Sequence, residues 1–222
     1  MKTPSSAVFA RRVRVRNPIR RQSRNPRSAN NPSTQSNRQL NPVASNRRLV
    51  QAVDQRNRRR ITDQNIPIDQ RRPVICDGES IAYDAITQQF DAKRVQTAVD
   101  WFQNAGHQTT AFIPKYLRGK ASNAYAFDNL YNNGKMIEVD CSTPGTAEMN
   151  VQLEAQMLQK AVQDDAAVLS EREFRQSYHE NSSFHPVIEQ RVIGFCFFKS
   201  AIFIPTDPYG RRGANLIQIL RK

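Results

Sequence analysis

Several residue types that would narrow the class of protein are scarce in this 222-residue chain. Only three cysteines occur, Cys76, Cys141 and Cys196, and they form neither a CxxC pair nor a cluster with histidine. This pattern indicates neither a zinc site nor a disulfide framework, so buried free thiols in a reducing compartment are expected. No apolar run approaches the length of a membrane span, and no secretory signal core is present, so no membrane partner is expected.

Acidic and aromatic residues are scarce in the first third of the chain. Residues 1–70 hold 16 Lys and Arg but 3 Asp, a net charge of 16 − 3 = +13, whereas the 17 basic and 17 acidic residues of 71–222 cancel. Residues 1–70 also hold only one of the 11 Phe and none of the 6 Tyr. Such a segment cannot bury enough apolar surface to offset chain entropy. Residues 1–70 are therefore predicted to be a disordered basic arm, and residues 71–222 the folded domain.

The sequence of the basic arm is compatible with several functions. Its arginines cluster at 11–16, 20–21, 47–48 and 56–60. Arginine pairs well with phosphate, so the arm is a candidate footprint for RNA or DNA. A nuclear-import signal, a mitochondrial transit peptide and a solvated tail are the alternatives. Pro4 and Pro18 interrupt any amphipathic helix, which counts against the transit peptide.

The folded domain alternates short apolar runs with helical periodicity. The runs at 74–76, 110–114, 136–139, 166–170 and 201–205 predict strands, and the segments 91–104, 121–133 and 147–163 predict helices. This alternation predicts an α/β fold with a mostly parallel sheet and helices on both faces. In the second helix, Tyr125, Leu130 and Tyr131 are expected as apolar anchors.

The third helix is predicted to bury the stripe Val151, Ala155, Leu158 and Val162. That stripe places Glu154 on the edge of the face that packs on the core, and it predicts that Leu153 points away from the core.

Asp77 ends the first predicted strand and is followed by Gly78. In an open α/β sheet, ligands bind just beyond the carboxyl ends of the strands. A carboxylate at that edge suits a divalent metal ion. The alternative is an aspartate that only caps the helix after it.

Four segments together carry a resemblance to a known family. They are Val-Ile-Cys-Asp-Gly-Glu-Ser-Ile-Ala at 74–82, Ala-Val-Asp-Trp-Phe-Gln-Asn-Ala-Gly-His at 98–107, Ala-Phe-Ile-Pro at 111–114, and Asp-Pro-Tyr-Gly-Arg-Arg-Gly-Ala at 207–214. Over about residues 72–222 the chain resembles the Regnase-type endoribonuclease domain. The resemblance implies a PIN-like (NYN) three-layer sandwich. It also implies a metal-dependent ribonuclease that cleaves single-stranded or loop regions of RNA, usually mRNA.

The resemblance assigns family acids to positions of this chain. The first falls on Asp77, and a helix-start pair falls on Leu153 and Glu154. The Ser-Asn-Asp at the end of the fourth strand falls on Ser170, Glu171 and Arg172, so its Asp is replaced by arginine and Glu171 would have to reach back by one position. The implied catalytic residues are thus Asp77, Glu154 and Glu171, of which Asp77 and Glu154 would bind Mg²⁺ or Mn²⁺ if the protein is active.

Other family positions have lost their chemistry. A further family Asp falls on Gln176, and the Asn that follows the first Asp falls on Ser80. An arginine facing the site, Arg172, would oppose a metal cation. The acid set is therefore expected to be degenerate, and no other cofactor is expected.

Basic and aromatic residues near the expected site are candidates for RNA binding by charge and stacking. They are Lys115, Tyr116, Arg118, Lys120, Arg172, Arg175, Arg211 and Arg212. The alternative for each is a paired or solvated surface charge.

Two hypotheses follow from the resemblance. One is an RNA-binding protein with impaired nuclease activity, acting in mRNA decay or small-RNA silencing beside an active nuclease paralogue or ribonucleoprotein proteins. The other is a working Mg²⁺-dependent endoribonuclease that cleaves single-stranded RNA with Asp77, Glu154 and Glu171. A third reading is an interaction module in which the arm alone binds nucleic acid.

Further expectations concern assembly and compartment. RNA, in particular mRNA, is the expected partner, and a homo-oligomer is left open. The cytoplasm, including ribonucleoprotein granules, is the expected compartment, with the nucleus as the alternative and the mitochondrion disfavoured. The zinc finger that often follows this domain in the family is not expected, so RNA affinity would come from the arm, the domain surface or a partner.

Overall fold

A computed structural model of the chain describes residues 66–141 and 146–222. The predicted basic arm lies outside the described residues except for its last five positions. Nine strands are present in the described part: β1 Val74–Asp77, β2 Tyr83–Asp84, β3 Gln89–Phe90, β4 Thr109–Pro114, β5 Met136–Val139, β6 Ala167–Leu169, β7 Val192–Ile193, β8 Cys196–Phe198 and β9 Ala201–Phe203.

Eight α-helices connect or flank these strands in the same described part. They are α1 Gly78–Ala82, α2 Ala92–Asn104, α3 Leu117–Lys120, α4 Tyr125–Asn132, α5 Ala147–Gln163, α6 Arg175–Glu180, α7 His185–Gln190 and α8 Leu216–Leu220. None of the described helices has the length and apolar content needed to cross a membrane.

The central sheet has five parallel strands in the order β5-β4-β1-β6-β7. The chain builds outward from β1 through β4 to β5, and then returns to the other side of β1 to add β6 and β7. The order therefore reverses between β1 and β6, and such a switch point opens a crevice at the carboxyl ends of the strands. Two antiparallel pairs, β2–β3 and β8–β9, lie outside this sheet.

Side chains of the central strands alternate between two cores. Val74 and Cys76 of β1 pack with Trp101, Phe102 and other residues of one cluster, whereas Ile75 packs with a second cluster built on α5. Because a strand's side chains point alternately to opposite faces, the sheet is covered by helices on both sides. The predicted α/β fold with three layers and a mostly parallel sheet is confirmed.

The buried face of α5 differs from the predicted stripe. Met149, Leu153, Met157, Leu158 and Ala161 are the buried residues of this helix, while Val162 is exposed. Leucine and methionine bury more apolar area than alanine and valine, so the helix orients by its larger side chains. The prediction that Leu153 points away from the core is wrong, and only Leu158 of the expected stripe is buried.

Two further expectations about packing are corrected. Tyr125 and Tyr131 of α4 are 51% and 53% exposed, because Ala126, Phe127 and Leu130 form the buried face. Cys76 is a buried free thiol as expected, but Cys196 is exposed. Cys196 lies on the face of the β8–β9 pair opposite to the one that carries the buried Ile202.

Candidate active site

Asp77 lies at the carboxyl end of the central strand β1, at the switch point of the sheet. Its side chain is 0% exposed. Oδ1 accepts a hydrogen bond from the Ser80 amide at 3.3 Å, which makes Asp77 the N-terminal cap of α1. Oδ2 accepts from the Ser170 hydroxyl and from Arg172 Nε, each at 2.7 Å. The carboxylate is thus held by its own helix and by the segment that follows β6.

Arg172 lies at the middle of this group of side chains. Its guanidinium pairs with Asp77, forms an ion pair through Nη2 with Glu79, and donates through Nη1 to Asn150 Oδ1 at 3.0 Å. Nη1 also lies 3.6 Å from Glu154 Oε1. Burial alone would lower the pKa of Arg172, but the charges of Asp77 and Glu79 raise it above its usual value. Arg172 is therefore a permanent cation inside the site.

Glu154 reaches the same place from α5. It follows the buried Leu153, and Asn150 lies four residues before it, so both face the carboxyl edge of the sheet. The Ser177 hydroxyl donates to Glu154 Oε2 at 2.9 Å. Burial raises the pKa of Glu154, although the Ser177 hydrogen bond and the charge of Arg172 act in the opposite direction. This carboxyl holds its proton more tightly than an exposed glutamate.

Glu79 and Tyr116 complete the group. Tyr116 was predicted near the site as an RNA-binding residue, whereas Glu79 was not predicted. Glu79 accepts a hydrogen bond from the Tyr116 hydroxyl and pairs with Arg172. Burial and the hydrogen bond to Glu79 raise the pKa of Tyr116. Glu79 lies within the Asp-Gly-Glu-Ser stretch that signalled the site, and its proximity to Asp77 in sequence is the signal that could have found it.

Glu171 is not brought into this group. Its side chain is exposed, and it forms no hydrogen bond or ion pair with any described residue. Partial burial raises the pKa of Glu171, with the charge of Arg94 acting against that shift. Glu171 therefore lies at the rim of the site, toward Arg94, and its catalytic role stays a prediction.

The basic residues proposed for RNA binding are mostly paired with acids. Lys115 contacts Asp140 at 2.7 Å, and Arg118 contacts both Asp128 and Glu138 at 3.0 Å. Lys120 Nζ lies 5.0 Å from the centre of the Tyr116 ring, a cation–π contact next to the site. Pairing with acids reduces the positive potential that the turn at 115–120 presents to a nucleic acid.

The other three candidates lie apart from the site or at its margin. Arg175 pairs with the exposed Glu173. Arg211 and Arg212 are exposed on the turn that carries Tyr209, whose hydroxyl accepts from the Val192 amide at the start of β7. That position is the amino edge of the sheet, so Arg211 and Arg212 lie on the opposite side from Asp77.

The arrangement does not fit a divalent ion shared by Asp77 and Glu154. Asp77 is enclosed and accepts hydrogen bonds on both oxygens, and Arg172 lies between the two carboxylates. No group of three His, Cys, Asp or Glu among residues 66–141 and 146–222 is arranged to hold a metal ion. The cation at the centre of the described site is the guanidinium of Arg172. The metal-ligand roles of Asp77 and Glu154 stay predictions.

A parallel sheet with carboxylates at its switch point defines an α/β domain of the kind that binds its ligand at the strand ends. The profile of the Zc3h12a-like ribonuclease NYN domain matches residues 70–218. That match covers more than half of the chain, which therefore belongs to this family. The predicted Regnase-type ribonuclease domain is confirmed.

The proteins that this chain resembles, named below, are longer than it is. Endoribonuclease rege-1 of Caenorhabditis elegans is 25% identical over 161 residues, which cover 68% of this chain and 25% of that protein. Two structures of the nuclear protein-only RNase P 2 of Arabidopsis thaliana align with TM-scores of 0.46 and 0.45 at 12% identity, over 73% and 74% of this chain and 36% of the other. The chain thus spans about a quarter of the length of the curated relative that it matches.

Proposed function

We propose that this chain is an RNA-binding member of the Regnase-type ribonuclease family whose own cleavage activity is impaired. The observation that carries this proposal is the position of Arg172, which ion-pairs with Asp77 and Glu79 and lies 3.6 Å from Glu154. A family nuclease needs a divalent cation near these acids to activate water and to stabilise charge on phosphate. Arginine supplies charge but cannot lower the pKa of a bound water in that way.

The proposed biological role follows from RNA binding without efficient cleavage. The chain would hold RNA, in particular mRNA, for an active nuclease paralogue or for ribonucleoprotein proteins in mRNA decay or small-RNA silencing. The cytoplasm, including ribonucleoprotein granules, is the compartment that we propose. A homo-oligomer is compatible with this role.

A working Mg²⁺-dependent endoribonuclease is the second candidate. One observation favours it: three carboxylates, Asp77, Glu79 and Glu154, face a single guanidinium, so their formal charge sums to −3 + 1 = −2. A negative centre attracts cations, and a metal that displaced Arg172 would find carboxylate ligands of the type it prefers. Glu171 could then act from the rim.

One experiment separates the two candidates. Full-length protein is incubated with end-labelled single-stranded RNA and Mn²⁺, beside Asp77→Asn and Arg172→Asn variants, and Mn²⁺ binding is measured by calorimetry. We expect RNA binding by the wild type with neither cleavage nor Mn²⁺ binding, and Mn²⁺ binding that appears only in Arg172→Asn. Cleavage by the wild type that is lost in Asp77→Asn would instead establish the active enzyme.

A further inference from the structure

The antiparallel pair β8–β9 begins beside the candidate active site. The Ser170 amide donates to the Ile193 carbonyl at 3.1 Å, and Ile193 is the last residue of β7. The chain then reaches Cys196, where β8 begins, after only two residues. The hairpin therefore rises from the carboxyl edge of the sheet, next to the segment that carries Arg172.

The two faces of this hairpin differ. Phe197 lies opposite Ile202, which is 2% exposed and belongs to the core. The next residues in each strand point the other way, so Cys196, Phe198, Ala201 and Phe203 share the outer face. Phe198 is 48% exposed, and Lys199 Nζ lies 5.6 Å from its ring centre. An exposed aromatic ring beside a cation is the pairing that single-stranded nucleic acids use.

Arg94 of α2 holds the hairpin in place by a contact with Phe197 on its inner face. Its guanidinium carbon lies 4.2 Å from the centre of the Phe197 ring, and its Nη1 donates to the Tyr83 carbonyl at 2.7 Å. The Arg94 side chain is only 15% exposed. The hairpin is therefore tied to both α2 and the β2–β3 pair, so its outer ring is presented without a large ordering cost on binding.

We infer that the outer face of the hairpin (Cys196, Phe198, Ala201 and Phe203), together with Lys199 of its turn, binds single-stranded RNA; this surface is here called the hairpin platform. A base stacks on Phe198, and Lys199 contacts the adjoining phosphate. This inference rests on the proposed function and identifies the surface by which the protein contacts its RNA.

Two observations favour RNA over a protein as the occupant of the hairpin platform. Lys199 forms no ion pair with any described residue, so its charge is available to a phosphate. The centre beside it carries a formal charge of −2 (three carboxylates and Arg172), so an RNA backbone near the site needs a cation outside it. Lys199, in the turn of the hairpin that starts at this edge of the sheet, is such a cation, and it lies next to a ring on which any base can stack.

The test uses a fluorescent reporter in the full-length chain. Phe198→Trp places an indole on the hairpin platform, whereas the single native tryptophan, Trp101, is 1% exposed and gives a constant background. Titration with oligoadenylate RNA should quench the new fluorophore. Inorganic polyphosphate, which has the charge but no bases, should leave it unchanged. Val162→Trp, at the far end of α5 and 39% exposed in the wild type, is the matched control and should respond to neither.

A binding measurement complements the fluorescence. At raised salt, where the contacts of exposed charges are screened, Phe198→Ala should weaken the Kd for oligoadenylate by about 5- to 150-fold, and Phe198→Tyr should restore it. Two results would refute the hairpin platform as the RNA site while leaving the proposed function intact. One is quenching by polyphosphate as strong as that by RNA. The other is RNA binding with unchanged emission from the indole of the Phe198→Trp variant. Emission that changes only with protein concentration would instead mark a protein interface. A chain that binds no RNA at all would refute the proposed function as well.

Discussion

At the scale of single residues, the contacts of Arg172 decide what the candidate active site can hold. The side chains of Arg172 and Asp77 are 14% and 0% exposed, so water cannot solvate the charge that remains when its partner is removed. The attraction within such a buried pair roughly offsets the cost of taking both charges out of water, but breaking the pair is costly. The pair therefore does little for net stability while it fixes the geometry of Glu79 and Glu154.

A double-mutant cycle tests this coupling. Arg172→Met and Asp77→Asn should each lower the free energy of unfolding by about 3 kcal/mol, because each leaves a buried partner uncompensated. The double variant should lose about 1–2 kcal/mol less than the sum of the single losses, as expected for contacting residues. Urea unfolding of the full chain measures all three.

The control for this cycle is Arg175→Met. Arg175 is 81% exposed and pairs with an exposed glutamate, so its replacement should cost less than about 1 kcal/mol. Strictly additive losses at positions 172 and 77 would contradict the coupling that the geometry indicates.

Glu154 gives a prediction about pH. Burial raises its pKa above the usual 4.5, so the folded protein binds this proton more tightly than the unfolded chain. Glu154 therefore contributes stability at pH values below 4.5, and that contribution is lost as the pH rises through the raised value. Glu154→Gln removes this titration and keeps a side chain that can bond to Ser177. The free energy of unfolding of the variant, relative to wild type, should rise from acid toward neutral pH; parallel pH profiles would contradict the shift.

At the scale of secondary-structure elements, the close approach of α1 to β4 sets the position of Asp77. Gly78 begins α1, and a Cβ added there would lie 1.8 Å from Ile113 Cδ1 and 2.8 Å from the Phe112 carbonyl oxygen. The isoleucine could rotate, but the backbone oxygen could move only with its strand. Only glycine therefore allows the helix to begin immediately after the aspartate.

Gly78→Ala should consequently destabilise the protein by about 1–3 kcal/mol, the usual cost of overpacking a core. Gly119→Ala is the matched control, since no atom lies within 4 Å of an added Cβ in α3. Alanine there should be neutral or stabilising by up to about 1 kcal/mol, because glycine is the poorer helix former. Thermal unfolding of the two variants should show opposite or clearly unequal shifts; equal shifts would show that the contact at Gly78 relaxes without cost.

The order of elements could be predicted from sequence because it depends on local periodicity. The strands β1, β4 and β5 and the helices α2 and α5 are present within a few residues of their expected bounds. The orientation of α5 was harder, since two apolar stripes compete on that helix and only packing against the sheet selects the one containing Leu153.

The centre itself could not be read from the sequence because it depends on contacts between distant residues. Arg172 meets Glu79 and Asp77 across 93 and 95 positions of the chain, and no local pattern fixes which acids an arginine will reach. The sequence did place Arg172 near the site by resemblance. Site roles for Glu79 and Asn150 were not predicted from the sequence, because these residues meet Arg172 only when α1, α5 and the end of β6 come together in the fold.

At the scale of the whole molecule, charge is divided between a basic first third and a neutral remainder. Residues 1–70 carry a net +13 and residues 71–222 a net 0. Several domain cations are further neutralised by neighbouring acids, among them Lys115, Arg118 and Lys160. Electrostatic attraction of RNA to the full chain is therefore expected to come mainly from the first 70 residues, whereas the hairpin platform would add stacking that salt hardly affects.

This division of charge predicts how the affinity for RNA depends on salt. Replacement of Arg56, Arg58, Arg59 and Arg60 by glutamine should reduce the slope of log K against log salt for single-stranded RNA by up to about 3, since each lost phosphate contact contributes about 0.7. The same number of cations removed from paired positions of the domain, Lys115, Arg118, Lys160 and Arg175, should change the slope little, because their charge is already balanced. Anisotropy titrations of a labelled oligonucleotide over a range of salt concentrations give both slopes. If the domain variant lost the larger part of the slope, RNA would be held by the paired cations of the domain, and the basic first third would have to serve another purpose.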